Sequence, residues 1–350
     1  MPAYVQHRPA SRGATLVELM VGLAASLLLL SAMATVFANN SAARGALERA
    51  SQQIENGRFA LQLLRDDIHV AGYYGEWAGP VMQWAGACVP RSGLALSAPA
   101  LGWTSATPAA PLPIYGYPYG DVPAAEPCFT HQKPNTDVLV LRSIDTETLT
   151  AAAAAGDAYA TDWFLQSSAC ADPALDPPSR ALVVAPGGAA ATTSFVLHQG
   201  DCSTLAPVRK LVVHAYYIGK CSVCTGSGDG IPSLRVIELT GATATNSSLV
   251  EGIESMRVEY ALDRDGDGVA DALVRCKSGS DGCSISDWNN VIGVQVHLLA
   301  RSTTPAPGYV DRKTYDMGLA GTLPAFGDGY KRHRFSAMVT AYNRSGPRER

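Results

Sequence analysis

The sequence predicts an α+β chain in which one long N-terminal helix leads into a β-rich exported domain stapled by disulfides. Three observations predict it. Ala14 to Ala38 is an apolar run of 25 residues with a single charged side chain, Glu18. No proline falls between Pro9 and Pro80, so nothing there breaks a helix. Beyond residue 135, short apolar and β-branched runs return at intervals, with all the hallmarks of strands.

The first run is long enough for a helix to cross a bilayer core of about 30 Å. Glu18 within it would cost roughly 2.5–3.5 kcal/mol at the bilayer centre and less near an end, so it calls for a cationic partner. Arg8 and Arg12 precede the run, which places the leader on the cytoplasmic side and the body outside. After Ala38 the pattern turns amphipathic. Leu47, Ile54, Leu61 and Ile68 recur every seven residues, with Ala50, Gly57, Leu64 and Ala71 three further on. Span and seam together predict one helix to about Gly72, roughly 87 Å long at 1.5 Å per residue.

The residues at the start of this helix resemble a known signal. Gly13, followed by an apolar helix with glutamate at its fifth position, is similar to the class III leader of type IV prepilins. The resemblance implies cleavage after Gly13 by prepilin peptidase and an N-methylated Ala14 as first mature residue. It also implies that Glu18 pairs with a neighbouring subunit's N-terminal amine. Major pilins usually carry phenylalanine where this chain has Ala14, a departure that fits minor pilins. Two other readings stay open: a secretory signal cut near Ala32-Met33-Ala34, and a plain single-span anchor.

Further along the helix, Gln53 to Leu61 (QIENGRFAL), Leu64 to Ile68 and Ala71 to Gly75 (AGYYG) resemble PilW-type minor pilins. So do Val250 to Val258, Val291 to Arg301, and Tyr330 to Phe335 with Asn343-Arg344. The resemblance implies a type IV pilin-like fold, with the helix first and an antiparallel sheet packed on its distal half. It leaves residues 75–250 largely unmatched. On this reading 1–13 is the leader and 14–72 the pilin helix, divided into a membrane or filament-core part (14–38) and an amphipathic part (39–72). Residues 73–134 form a loop-rich insertion and 135–350 the β-rich domain. The protein would sit in the inner membrane as a single-pass chain with its C-terminal domain in the periplasm, and then enter a surface pilus. The implied partners are other minor pilins, the major pilin, prepilin peptidase and the inner-membrane assembly platform.

Composition agrees with an exported globular body. The chain has 350 residues, 47% hydrophobic and 17% charged, and a formal net charge of −4, which gives no sign of general nucleic-acid binding. Cys88, Cys128, Cys170, Cys202, Cys221, Cys224, Cys276 and Cys283 all follow the span, and an even count in an exported domain reads as four disulfides. Spacing does not fix their pairing; neighbour with neighbour is the simplest choice, and Cys221-Ser-Val-Cys224 could instead be a redox or zinc half-site.

From Gly75 to Pro134 the chain is rich in Gly, Pro and aromatics and reads as long loops. Trp77, Trp84, Trp103, Tyr115, Tyr117 and Tyr119 either cover the end of a sheet or form a contact surface. Strands are expected at 137–144, 180–185, 194–198, 210–218, 234–239, 253–262, 291–300 and 335–342, with 151–155 and 187–191 as flexible connections.

One constellation reads as a site. Asp263, Asp265, Asp267 and Asp271 stand at positions 1, 3, 5 and 9 of a loop, residues 263–271, with Gly266 at position 6. This is how an EF-hand loop begins to wrap a calcium ion, because alternate carboxylates can face one centre while glycine permits the sharp turn. Position 12 is Val274, so a further ligand is needed, with Asp281 or Asp287 or water as candidates; an Asp-Gly-rich β-turn needs no metal at all. The basic stretch around Arg332 could touch DNA or an acidic partner, or guard an edge strand against aggregation. The seven histidines are scattered, and His131, His198, His214 and His297 stand singly beside expected strands, so no enzyme is predicted. Alternatives to a minor pilin are a type II secretion pseudopilin and a calcium-stabilised adhesin or DNA receptor.

Overall fold

The computed structural model describes residues 15–77, 79, 81–88, 96–104, 108–123, 126–277 and 282–348. The chain divides into two compact units, 1–51 and 52–350, and the boundary falls inside helix α1 (Leu16–Val70). In the first unit, residues 15–41 are all exposed. The predicted helix is thus present to within two residues of its expected end.

In the second unit, α1 buries Gln53, Gly57, Ala60, Leu64 and Ile68, a stripe at three- and four-residue spacing that Ala71 continues just past the helix end. This corrects the seven-residue seam. A strict heptad row drifts about 20° per step around a straight helix. Ile68 is therefore buried and Leu61 half-buried, while Ile54 has turned 40% into solvent. Gln53, a buried polar group, is satisfied by donating from Nε2 to the carbonyls of Ala300 (2.7 Å) and Lys331 (2.9 Å).

Gly57 has a packing reason to lack a side chain. A Cβ there would lie 2.1 Å from Cε2 of Phe335, whose ring rests on the helix backbone. Gly57→Val is expected to destabilise the protein by about 1–3 kcal/mol through overpacking. Denaturation of the full-length chain in detergent measures this. In a Phe335→Ala background the same substitution should cost clearly less, and equal costs in the two backgrounds would refute the contact.

After the helix come β1 (Val81–Gln83) and β2 (Ala110–Pro111), paired in parallel, then β3 (Ile114–Tyr117) and β4 (Val138–Ile144). Next are α2 (Ala151–Ala154), β5 (Trp163–Ser167), β6 (Leu182–Pro186), α3 (Ala191–Ser194), β7 (Arg209–Gly219), β8 (Ser233–Thr240) and β9 (Thr243–Glu251). The chain ends with β10 (Ile253–Leu262), β11 (Ala272–Val274), α4 (Ile285–Asn289), β12 (Val291–Arg301), β13 (Tyr315–Asp316), β14 (Thr322–Leu323), β15 (Arg332–Thr340) and α5 (Tyr342–Ser345). The expected sheet is in fact two larger antiparallel sheets with two small two-stranded pairs. One runs β3-β4-β7-β5-β6, with β8 and β9 added on β7; the other runs β11-β10-β12-β15. Ala60, Leu64 and Ile68 of the helix share one apolar core with Leu139 and Ala215 of the first sheet and Met256, Val294 and Leu298 of the second.

All ten residues of β10 are buried, because the strand has packing on both faces. Three expectations need correction. Residues 73–134 are not only loops: β3 pairs with β4 and so belongs to the main sheet. Residues 194–198 hold no strand; α3 ends there, and a single bridge joins His198 to Leu205. Ala151 to Ala154 is a turn of helix rather than a loop, capped by Thr150, whose hydroxyl accepts the Ala153 amide at 3.1 Å. The cysteines pair neighbour with neighbour: Cys88–Cys128, Cys170–Cys202, Cys221–Cys224 and Cys276–Cys283.

Candidate functional site

Three places carry candidate function: the start of α1, the aspartate loop, and two buried charged clusters. Gly13 and Ala14 lie outside the described residues. Glu18 is described, and its carboxylate and Thr15 close the helix start reciprocally. The Thr15 amide donates to Glu18 Oε2 at 3.4 Å, and the Glu18 amide donates to Thr15 Oγ1 at 3.3 Å. This is a capping box, readable in the sequence as Thr-x-x-Glu. Along the apolar segment Ser26, Ser31 and Thr35 donate back to the carbonyls of Leu23, Leu28 and Ser31 at 2.8–2.9 Å. Their hydroxyls thus ask nothing of the surroundings, as a hydrocarbon environment requires. The helix is long and apolar enough to cross a membrane.

In the aspartate loop the geometry is partly that of a cation cradle. Ligand oxygens of Asp263, Asp265 and Asp267 lie within 4.8 Å of one another. Gly266 and Gly268 take φ of +81° and +86°, which glycine adopts without strain. Asp263 is fully buried and accepts the amides of Gly266 (2.7 Å) and Gly268 (3.1 Å), while Arg348 Nη1 stands 3.1 Å from its Oδ2. Burial alone would raise its pKa, but Arg348 and these amides hold it below the usual carboxylate range. Asp265 moves the other way. The Asp267 amide favours its charged form, yet desolvation and the carboxylates of Asp267, Asp271 and Asp263 together push it up.

Asp271 does not join this group; its Oδ2 accepts the Arg264 amide at 2.6 Å and so closes the loop. Asp287 is occupied as well, capping α4 through Ser284 and pairing with Arg264 at 3.1 Å. Val274 pairs with Tyr260 in the sheet, and Asp281 lies outside the described residues. The donor set of three clustered carboxylates fits a hard cation such as calcium. Asp263, Asp265 and Asp267 would hold it, and the ion would supply the charge that relieves Asp265 and fixes the turn.

Cys221 and Cys224 are joined in a disulfide, and His131 stands beside the pair. Of the loop aromatics, Trp103, Tyr115 and Tyr117 are buried, whereas Trp84 is exposed. Burial favours the covering role over a contact surface for these three. Three of the four single histidines stand beside acids: His198 by Asp176 at 3.0 Å, His214 by Asp67 at 2.7 Å and His297 by Glu259 at 3.3 Å.

Two charged clusters escaped sequence reasoning because their members are far apart in the chain. Asp137 accepts from Arg257 and Arg275 and from the amides of Tyr119 and Val258. Arg332 is fully buried among Glu254, Asp311 and Asp328. The second cluster corrects the reading of the basic C-terminal strand. β15 does lie at a sheet edge, but Arg332 faces inward, and Arg334 donates to the Asp316 carbonyl at 2.8 Å.

Residues 215–343 match a protein-family model described as Type IV Pilus-assembly protein W, PilW. The match takes in β8 to β15, the aspartate loop and both charged clusters in large part. A search of curated proteins finds no significant match. Among solved structures, a type IV-like pilin from Thermus thermophilus is similar over 83% of this chain and 97% of its own, at 11% identity and a TM-score of 0.35.

Proposed function

We propose that this chain is a PilW-like minor pilin that joins other minor pilins to prime assembly of a type IV pilus, at or near its tip. The observation that carries the reading is the match of residues 215–343 to a pilus-assembly family, in a chain whose other end is a long apolar helix. Residues 14–38 hold the subunit in the inner membrane and then pass into the filament core. Glu18, at the first turn of the helix, is neutralised there by a neighbour's N-terminal amine, which offsets the cost of a carboxylate in an apolar medium. The disulfide-stapled body remains outside the membrane and docks on other pilins.

The N-terminal mass of the protein recovered from membranes, with and without prepilin peptidase, tests this reading. The expected product begins at N-methylated Ala14. A chain that keeps Met1, or that begins near Thr35, overturns it. Loss of surface pili in a deletion strain, with exoprotein secretion unchanged, separates a pilus role from a type II secretion role.

The aspartate loop belongs to the same proposal as a structural calcium site that fixes the segment between β10 and β11. Calorimetric titration of the full-length chain should find saturable calcium binding that Asp265→Ala with Asp267→Ala abolishes. If no binding is found, the loop is a turn only.

A further inference from the structure

Three cations converge on one aromatic ring. Arg257 Cζ lies 4.4 Å, Arg275 Cζ 5.3 Å and Lys277 Nζ 5.4 Å from the ring centroid of Tyr119. Asp137 pairs with both arginines, at 3.4 Å from Arg257 and 2.8 Å from Arg275. Among the described residues, three cations thus share this ring while the one carboxylate seen to pair with any of them is Asp137. Nε of Arg257 and of Arg275 is buried without a hydrogen-bond acceptor, and Lys277 makes no ion pair among the described residues.

This cluster borders a cavity of about 500 Å³. Tyr119, Val274 and Leu319 supply apolar wall, while Arg275 and Lys277 supply charge. The acid of the lining among the described residues, Asp287, is held by Arg264 and by the cap of α4. A volume in the range of small-molecule sites, apolar sides and a few convergent charges of one sign are what an organic anion needs. Cation–π contacts attract the ammonium and guanidinium groups to the ring but leave their charge uncancelled.

We infer that the cavity beside Tyr119 binds a small organic anion, its carboxylate or phosphate group meeting Arg275 and Lys277 and its apolar body lying on Tyr119, Val274 and Leu319. The site takes the acidic group as a charge-assisted hydrogen-bond acceptor. The binding pocket stands whether or not the chain is a pilin. Its ligand would be a free small molecule, since the cavity admits one and flat surface contact does not require such a recess.

Titration calorimetry on the full-length protein in zwitterionic detergent at low ionic strength tests the inference. Phenyl phosphate, benzoate, inorganic phosphate and phenol serve as probes. One or both aromatic anions should bind a single saturable site, and the tighter of the two assigns the acidic group; phenol should not bind. Lys277→Gln should weaken binding by about tenfold, the loss of one charged hydrogen bond. Leu319→Asp, at an exposed wall position, should weaken it at least as much, with both variants unfolding at the parent's urea midpoint. Failure of both aromatic anions to saturate, or affinities that neither substitution changes, would overturn the site. Inorganic phosphate binding as tightly as phenyl phosphate would overturn the organic half of the inference.

Discussion

Arg332→Leu is expected to lower the unfolding free energy by about 3–5 kcal/mol, the usual consequence of removing one partner from a buried ion cluster. Its guanidinium is fully buried, with Asp311 at 2.9 Å and Asp328 at 2.6 Å, and its Nε on Glu254. The Phe326 ring lies 3.7 Å from its Cζ. Burial works against the charge, but Asp328, Glu254 and Asp311 outweigh it and raise the Arg332 pKa. Lys133 and Arg301 reach Glu254 at 3.1 and 3.7 Å, and the Tyr315 hydroxyl donates to Asp311 at 3.0 Å. Leucine would leave Asp311, which is wholly buried, with tyrosine hydroxyls and a backbone amide but no cation. Arg332→Lys keeps a charge but cannot reach three carboxylates with one planar fork, so it should fall between leucine and the parent. Urea denaturation of the full-length chain decides the matter. A leucine variant within about 1 kcal/mol of the parent would mean that the cluster offsets its own desolvation and no more.

Arg332 also illustrates what sequence reasoning reaches and what it does not. The run Tyr330 to Phe335 reads as a basic edge strand, and β15 is an edge strand. Period-2 alternation cannot tell that the inward position is an arginine, because its partners Glu254, Asp311 and Asp328 are contributed by three separate segments. Helix α1 was legible because its cause is local: an apolar run, no proline and a seam. Strands β4, β7, β8, β10 and β12 were legible for the same reason, each being a β-branched run. By contrast β9 (TATNSSLVE) hides because small polar residues fill an edge strand that buries almost nothing but Val250. The aspartate loop was legible as a spacing. That Asp271 would serve the Arg264 amide instead of the cluster depends on the turn's actual course, which spacing does not give.

Raising the pH from about 6.5 to about 9 is expected to cost the fold about 2–3 kcal/mol through His214 alone. Burial lowers the affinity of this imidazole for its proton, but hydrogen bonds and charge from Asp67 and Glu238 more than offset it, and its pKa is raised from 6.5 to about 9. A group whose pKa is higher folded than unfolded contributes its stability fully below the unfolded value. That contribution is lost as pH rises through the folded value, so the window is about 6.5 to 9. Nδ1 lies 2.7 Å from Asp67 Oδ2 and Nε2 lies 3.8 Å from Glu238, while the Tyr216 hydroxyl donates to Asp67 at 2.9 Å. Asp67 belongs to α1, and His214 and Glu238 belong to β7 and β8, so the protonated imidazole ties the helix to the sheet from both sides. Stability measured across this range should fall for the parent and stay nearly flat for His214→Gln. Identical slopes in the two proteins would place the alkaline loss elsewhere. A slope present only in the parent would make His214 the clamp that holds the helix on β7 and β8 at neutral pH.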